Sequence, residues 1–307
     1  MSLKTLPVLG LILFSPVMAQ AVDFLYVSMS NSNIVARYDV SSGVQATIEA
    51  SRVVYASGFG NPEGVALDST GNLYVANSGG STVSRVSPGG LSTDHNWATG
   101  LSQPRGLAVS AAGDLYIGNE NSGTIQKVGP SGGTTSTFIS SFGNSRGLAF
   151  DTTGNLYASN SGFGGATVAK ISPGGSTIDG NWSSGYNYPY GVAVDSSGNV
   201  YTSSFFANIG KVGPAGGAAS TFATGFSNPT GLAMGTSGLL YAADASLNSI
   251  SVINSSGSIL YSFTTGTDTP RGVAFQTVVP EPSTYMLAGI ASMTIGVLAR
   301  RKKIRKG

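Results

Sequence analysis

Six residues stand immediately before six regularly spaced glycines: Glu63, Arg105, Arg146, Tyr190, Thr230 and Arg271. A second set lies three positions past six regularly spaced tyrosines: Met29, Asn77, Asn119, Asn160, Ser204 and Asp244. The chemistry on offer is mostly that of hydrogen bonds and charge. Arginine presents a planar fork of donors that matches a carboxylate or a sulfate. Tyr186, Tyr188, Tyr190, Phe205 and Phe206, with Phe163 in the preceding long loop, add aromatic faces beside those donors. Flat apolar faces next to hydrogen-bonding groups suit sugar rings, so an acidic polysaccharide would meet both needs. A different use is open to the same positions. Glu63, Asn119, Asn160 and Asp244 carry oxygen ligands for a hard divalent cation such as calcium, which would polarise a carbonyl and activate water. No spacing singles these four out. Structural uses compete with both: Asn and Asp cap turns, and the arginines can pair with Glu63, Glu120 or Asp244.

Other chemistries are excluded by composition. The 307 residues include no cysteine, which removes disulfides, thiolate metal sites and cysteine nucleophiles. A single histidine, His95, cannot form a multi-histidine metal site. It lies beside Trp97 in what reads as an outer strand, away from the six glycines. The formal net charge of +2 is set by the two ends. Lys4 lies in the first 21 residues and six basic residues lie in the last eight. Between the ends, nine basic residues face thirteen acids, a net charge of −4. A body of that balance is not an electrostatic binder of nucleic acid.

The elements that must position these residues are repeated. The glycines fall at 64, 106, 147, 191, 231 and 272, a period of 40 to 44 residues. That is the length of a propeller blade. Each unit reads as four strands. "GVALD" is a short apolar strand that ends in the turn "DSTGN", "LYVAN" and "TVSRVSP" alternate, and a fourth strand carries one large aromatic. Those aromatics, Tyr55, Trp97, Phe138, Trp182, Phe222 and Phe263, are expected in one register. The six tyrosines at 26, 74, 116, 157, 201 and 241 are expected to pack between blades. Arg37, Arg85, Lys127, Lys170 and Lys211 recur in the third strand and are expected at a solvated or snorkelling position. The array begins mid-unit with strands two and three and ends mid-unit with strand one at "TPRGVAF". Two complementary halves complete one blade if the array closes into a ring. The predicted fold is therefore all-β: a six-bladed β-propeller of four-stranded blades over residues 22–277, closed by the N- and C-terminal partial repeats. Strand order puts both sets of candidate residues on the face around the channel mouth.

The consensus "NPxGVAVDxxGNLYVANxxxxxVxKVxP" resembles NHL repeats over nearly all of residues 22–277. The resemblance implies the propeller fold and leaves the activity open, because propellers carry many functions. Relatives of this type include lactonases, lyases and binding scaffolds. A lactonase resembling the gluconolactonase propellers would hold its cation at the channel mouth. A lyase resembling the streptogramin-inactivating propellers relies on an active-site histidine, and His95 is wrongly placed for it.

The ends read as transport signals. Lys4, the apolar run Leu6–Met18 and the small-x-small triplet Ala19-Gln20-Ala21 predict a signal peptide over 1–21, cut after Ala21. Export would use the Sec machinery. At the other end, "VPEPST", an uncharged run over 285–299 and the basic segment 300–306 follow one another. The run predicts a short transmembrane helix that holds the chain in the inner membrane, with the basic tail in the cytoplasm. The order of these three parts over 278–307 resembles the PEP-CTERM sorting signal of Gram-negative bacteria. The resemblance implies recognition of Pro280, Glu281 and Pro282 by an exosortase. Release toward the cell surface or extracellular matrix would follow, in association with exopolysaccharide or biofilm. The expectation is a non-enzymatic surface scaffold needing no cofactor, which binds an anionic polysaccharide or another surface protein and no nucleic acid. The alternative is the metal-dependent, lactonase-like hydrolase.

Overall fold

The computed structural model describes residues 21–162, 166–205 and 208–279. Residues 1–20 of the expected signal peptide, the Pro280-Glu281-Pro282 motif, the apolar run 285–299, the basic tail, Phe163 and Phe206 all lie outside the described residues. Within Asp23–Thr277 the chain forms six antiparallel sheets. We number the blades in chain order by their innermost strands: Pro62–Leu67, Pro104–Val109, Ser145–Phe150, Pro189–Val194, Pro229–Met234 and Pro270–Val278. The sixth blade has the strand order Pro270–Val278, Val22–Met29, Ile34–Asp39, Val53–Ser57. The N-terminal strands thus dock against the C-terminal one and close the ring, as the two half-units require.

The opening glycines set the spacing between blades. A Cβ on Gly64 would strike the carbonyl oxygen of Arg105, and one on Gly147 that of Tyr190. The same clash recurs at Gly191 with Thr230, Gly231 with Arg271 and Gly272 with Glu63. Glycine is needed here for close approach of neighbouring strands, which meet backbone to backbone around the channel. Buried serines two places past the tyrosines staple the same contact in three blades. Ser159 Oγ accepts from the Gly147 N–H at 2.8 Å and donates to the Tyr190 carbonyl at 2.8 Å. Ser203 does the same between Gly191 and Thr230, and Ser28 between Gly272 and Glu63.

The tyrosines pack between blades as expected, Tyr74 in one buried cluster with Leu107 and Leu115 of blade two and Tyr157 in one with Val192 and Val200 of blade four, and each also meets the outer-strand aromatic of its own blade. Tyr74 meets Trp97 with ring centroids 4.7 Å apart, Tyr157 meets Trp182 at 4.8 Å and Tyr201 meets Phe222 at 4.8 Å. Lys170 and Lys211 lie over two of these pairs, with Lys211 Nζ 5.0 Å from the Tyr201 centroid, and Arg37 Cζ lies 4.4 Å from that of Phe24. Phe263 departs from the expected register. In blades two, four and six the bulge in the outer strand falls on the aromatic itself, Phe138, Phe222 or Tyr55. In blade five it falls at Leu260, and Phe263 pairs directly with Ile250. One residue of shift turns a side chain to the other face of the sheet. Phe263 therefore packs on Tyr38 of blade six at 5.1 Å, and Tyr241 stacks on Phe275 instead.

The turn "DxxGN" is itself a hydrogen-bonded unit. Asp68 Oδ1 accepts from the Thr70 and Asn72 backbone N–H groups, both at 2.9 Å, and Oδ2 accepts from the Tyr74 hydroxyl at 3.0 Å. Asp151 and Asp195 repeat the arrangement with Tyr157 and Tyr201. Burial alone would raise these carboxyls, but the bonds from Asn72, Asn155 and Asn199 outweigh it and hold all three below the ordinary value of 3.8. A short helix, Gln45–Ala50, was not expected from the composition. It buries Ile48, and Glu49 accepts from the Thr264 N–H at 2.9 Å, covering the outer strand of blade five.

Two outcomes follow from this packing. Gly231→Ala is expected to lower stability by about 1–3 kcal/mol, the usual cost of an overpacked core. In a domain of this size that is a fall of about 2–4 °C in Tm per kcal/mol, measurable by thermal unfolding. A carboxyl depressed in the folded state contributes stability above its unfolded value and loses it as pH falls through the folded one. Unfolding midpoints are accordingly expected to drop as pH is lowered below 3.8, and Asp195→Asn is expected to flatten that dependence.

Candidate functional site at the channel mouth

The residues before the opening glycines do converge. Glu63, Arg105, Arg146, Tyr190 and Arg271 line one cavity at the ring centre, of about 50 Å³. The backbone contacts just described place them there, because each is the last residue before the closest approach of two blades. Thr230 is the exception. It is fully buried, and its hydroxyl donates to the Arg271 carbonyl at 3.0 Å.

The charges in the mouth are largely spent on one another. Arg105 Nη1 lies 2.7 Å from Glu63 Oε1, and Arg105 Nε donates to Glu120. Arg146 reaches the other oxygen of Glu120, with its Nε at 2.8 Å and its Nη2 also bonded. Tyr190 ties the set together across the channel. Blade four stands opposite blade one in a ring of six, yet the Tyr190 hydroxyl donates to Glu63 Oε2 at 2.8 Å and accepts from Arg105 Nη1 at 3.0 Å. The Arg146 guanidinium lies over the Tyr190 ring at 5.1 Å. Burial, reinforced by the Glu63 charge and opposed by Arg105 and Arg271, pushes the Tyr190 hydroxyl up to about 12. It therefore stays a donor at neutral pH. Burial disfavours the Arg105 cation, but Tyr190, Glu63 and Glu120 outweigh that effect and raise it further. Arg271 differs: its Nε donates to Ser30 Oγ at 3.4 Å. Three arginines against two glutamates leave the mouth with one net positive charge.

The second expected ring turns away from the mouth. Asn77, Asn119 and Asp244 are buried. The Asn77 amide donates to Thr82 at 3.1 Å and Ser84 at 2.8 Å, within its own blade. Asn119 accepts from the Ser102 N–H at 3.1 Å and donates to Gln126 at 3.1 Å. Asn160 accepts from the Gly162 N–H at 3.1 Å. Asp244 accepts from the N–H groups of Ser227 at 2.7 Å and Asn228, Ser246 and Leu247 at 3.1 Å. These groups are connectors of the strand-two loops. Glu63 is held by Arg105 and Tyr190, while Asn119, Asn160 and Asp244 are each engaged by backbone N–H groups of neighbouring loops. Among the described residues no three His, Cys, Asp or Glu side chains gather as a metal site. His95 is exposed on an outer strand, against Phe59 at 5.5 Å.

Of the aromatic set, Tyr186 is buried and its hydroxyl shares a 2.8 Å hydrogen bond with Ser183. Tyr188 and Phe205 are 56% and 41% exposed on the loops of blade four. Tyr188 has φ +52°, in the pre-proline register where blades one and two have Asn61 and Gln103 at φ +50°. Left-handed backbone is ordinary for asparagine and costly for tyrosine. Glu120, the hub of the ion network, belongs to neither periodic set. Its only signal in the sequence is that it is an acid in the loop directly after Asn119.

Comparison with known proteins agrees with this architecture. Residues 17–121 match the SMP-30/Gluconolactonase/LRE-like region, and residues 278–303 match the PEP-CTERM protein-sorting motif. No curated protein is detectably similar in sequence. Among solved structures, a chain of a nidogen/laminin complex superposes with a TM-score of 0.75 at 16% identity, over 82% of this chain and 98% of that one. A gluconolactonase from Xanthomonas campestris gives 0.64 at 15%, over 80% and 89%. A virginiamycin B lyase from Staphylococcus aureus gives 0.54 at 18%, over 69% and 73%. At such identities the likeness is one of fold.

The ion network makes a stability prediction of its own. Glu120→Gln leaves two half-buried arginines short of a carboxylate partner, Arg105 keeping only Glu63, and is expected to cost about 1–3 kcal/mol by denaturant unfolding. Arg271→Ala, which breaks no carboxylate pair, is expected to stay within about 0.5 kcal/mol of the parent by denaturant unfolding. The closed ring of six sheets, the segment similar to the SMP-30/Gluconolactonase/LRE-like region and the C-terminal match together make this chain a six-bladed β-propeller that carries a PEP-CTERM sorting motif.

Proposed function

We propose that this propeller is sorted to the bacterial surface by an exosortase acting at Pro280-Glu281-Pro282, and works there as a non-catalytic binding scaffold for an acidic polysaccharide. The reading rests on the charge state of the mouth. Glu63 and Glu120 are neutralised by Arg105 and Arg146, and Arg271 is the cation left over. A cavity of about 50 Å³ admits a carboxylate or a few waters, and is far below the roughly 300 Å³ at which pockets begin to enclose a small organic ligand. The acidic group of a glycan would enter the mouth, while its rings lie outside, over the surface that carries Tyr188 and Phe205. The same cavity argues against the lactonase-like alternative. That reading draws support from the match over 17–121 and would need Glu63 as a ligand, but Glu63 is bonded to Arg105 and Tyr190.

The test is retention of the full-length protein on an immobilised polyuronate, with a neutral glucan as control. Retention on the polyuronate is expected to fall with rising salt and to drop several-fold in Arg271→Ala. Equal retention of parent and variant would defeat the proposal. So would calcium-dependent hydrolysis of a sugar lactone by the parent chain.

A further inference from the structure

A larger cavity lies on the opposite face, between blades two and three. It measures about 340 Å³, within the range of about 300–1,000 Å³ typical of small-ligand sites. Three rings line it: Tyr116, Phe138 and Phe150. Phe138 stands at 88° to Tyr116 with centroids 4.8 Å apart, and Phe150 at 79° and 5.1 Å. Two carboxylates, Asp114 and Asp151, complete the lining. No lysine or arginine lines the cavity. Lys127 holds Asp114 at 2.7 Å and lies over the Tyr116 ring at 5.5 Å, so one of these rings already accepts a cation. Asp151 makes no ion pair among the described residues; its oxygens are held by Thr153, Asn155 and Tyr157, and Lys170 lies on the far side of that tyrosine, over its ring at 5.4 Å. The lining itself therefore carries one carboxylate without an ion pair.

The cavity exists because blade two breaks its own repeat. Where blades one, three and four have Asp-Ser-Thr, Asp-Thr-Thr and Asp-Ser-Ser after the innermost strand, blade two has Ser110-Ala111-Ala112. The carboxylate that elsewhere accepts from the tyrosine hydroxyl is absent, and two short side chains leave room above the rings. Perpendicular aromatic walls with nearby negative charge are the chemistry that holds an organic cation, through the ring quadrupoles and a carboxylate together. An anion is repelled from such a site, and a neutral sugar gains nothing from its charge.

We propose that the cleft between blades two and three is a binding site for an organic ammonium group, built by Tyr116, Phe138 and Phe150 with Asp114 and Asp151. The site is independent of the channel mouth. The probe is choline, titrated calorimetrically into the full-length protein at constant ionic strength. Its uncharged isostere 3,3-dimethylbutan-1-ol and methyl glucoside serve as comparisons. Choline is expected to bind and both neutral compounds to bind at least several-fold more weakly. Phe150→Leu, which keeps apolar bulk and removes a ring, is expected to weaken choline by about three- to thirty-fold. Ala112→Trp, which fills the exposed side of the cleft and removes no contact, is expected to abolish it. Arg271→Ala is expected to leave it unchanged, which separates this site from the polysaccharide reading. Absence of choline binding, undiminished binding in Ala112→Trp or Phe150→Leu, or equal affinity for the alcohol would each overturn the proposal.

Discussion

Neighbouring blades meet backbone to backbone, where each opening glycine lies against a carbonyl of the next blade. Five of the six glycines would drive a Cβ into that oxygen, and the sixth, Gly106, sits at the edge of contact with the Arg146 carbonyl. This constraint sets the radius of the channel and brings the residues before the glycines to its rim. The ring has no slack in which to hide a mismatch, because the sixth blade is assembled from both ends of the chain. Gly272 from one end and Ser28 from the other meet at the same staple as the internal blades.

A narrow channel rimmed by long side chains has one electrostatic consequence. The chains are long enough to reach one another across the axis, so they neutralise one another before any ligand arrives. Tyr190 spans to the opposite blade, and Glu120 receives two arginines at once. Buried acids left unpaired would be costly; Arg105 bridges Glu63 and Glu120, and Arg146 gives two N–H groups to one oxygen of Glu120. What remains for a partner is the excess, a single positive charge at Arg271. The mouth is therefore a rigid, nearly saturated polar plug and not an open funnel.

The outer rim obeys a different rule. Each blade ends in a strand whose free edge is exposed to pairing with other chains, a liability for a protein bound for a crowded surface. Here the next blade covers part of it. Gly133–Thr134 adds a parallel pair to the outer strand of blade one, and Gly217–Ala218 does so for blade three. The helix Gln45–Ala50 serves blade five. Bulges at Tyr55, Phe138 and Phe222 twist other edges, and Arg37 lies over the Tyr55 ring and Lys211 over that of Phe222.

Much of this was legible in the sequence because a repeat reports its own period. Glycines every 40 to 44 residues, complementary half-units and one aromatic per outer strand specify six closed blades without reference to any contact. Five of the six residues of the first ring reached the mouth as position implied, while Thr230 is buried and turns its hydroxyl onto the Arg271 carbonyl. Position did not say where a side chain points. Asn77, Asn119 and Asp244 share a register with one another, but their polar atoms bond the nearest loop backbone or strand partner. Phe263 kept the count and lost the face, because a bulge moved by three residues reverses a strand's alternation without altering its length. The reach of Tyr190 to Glu63, the double pairing of Glu120 and the cleft beneath Ala111 and Ala112 depend on which blades stand opposite or adjacent. Periodicity is a property of one dimension and determined the ring; charge pairing and cavities are set by distances across that ring, and only the closed tertiary structure decides them.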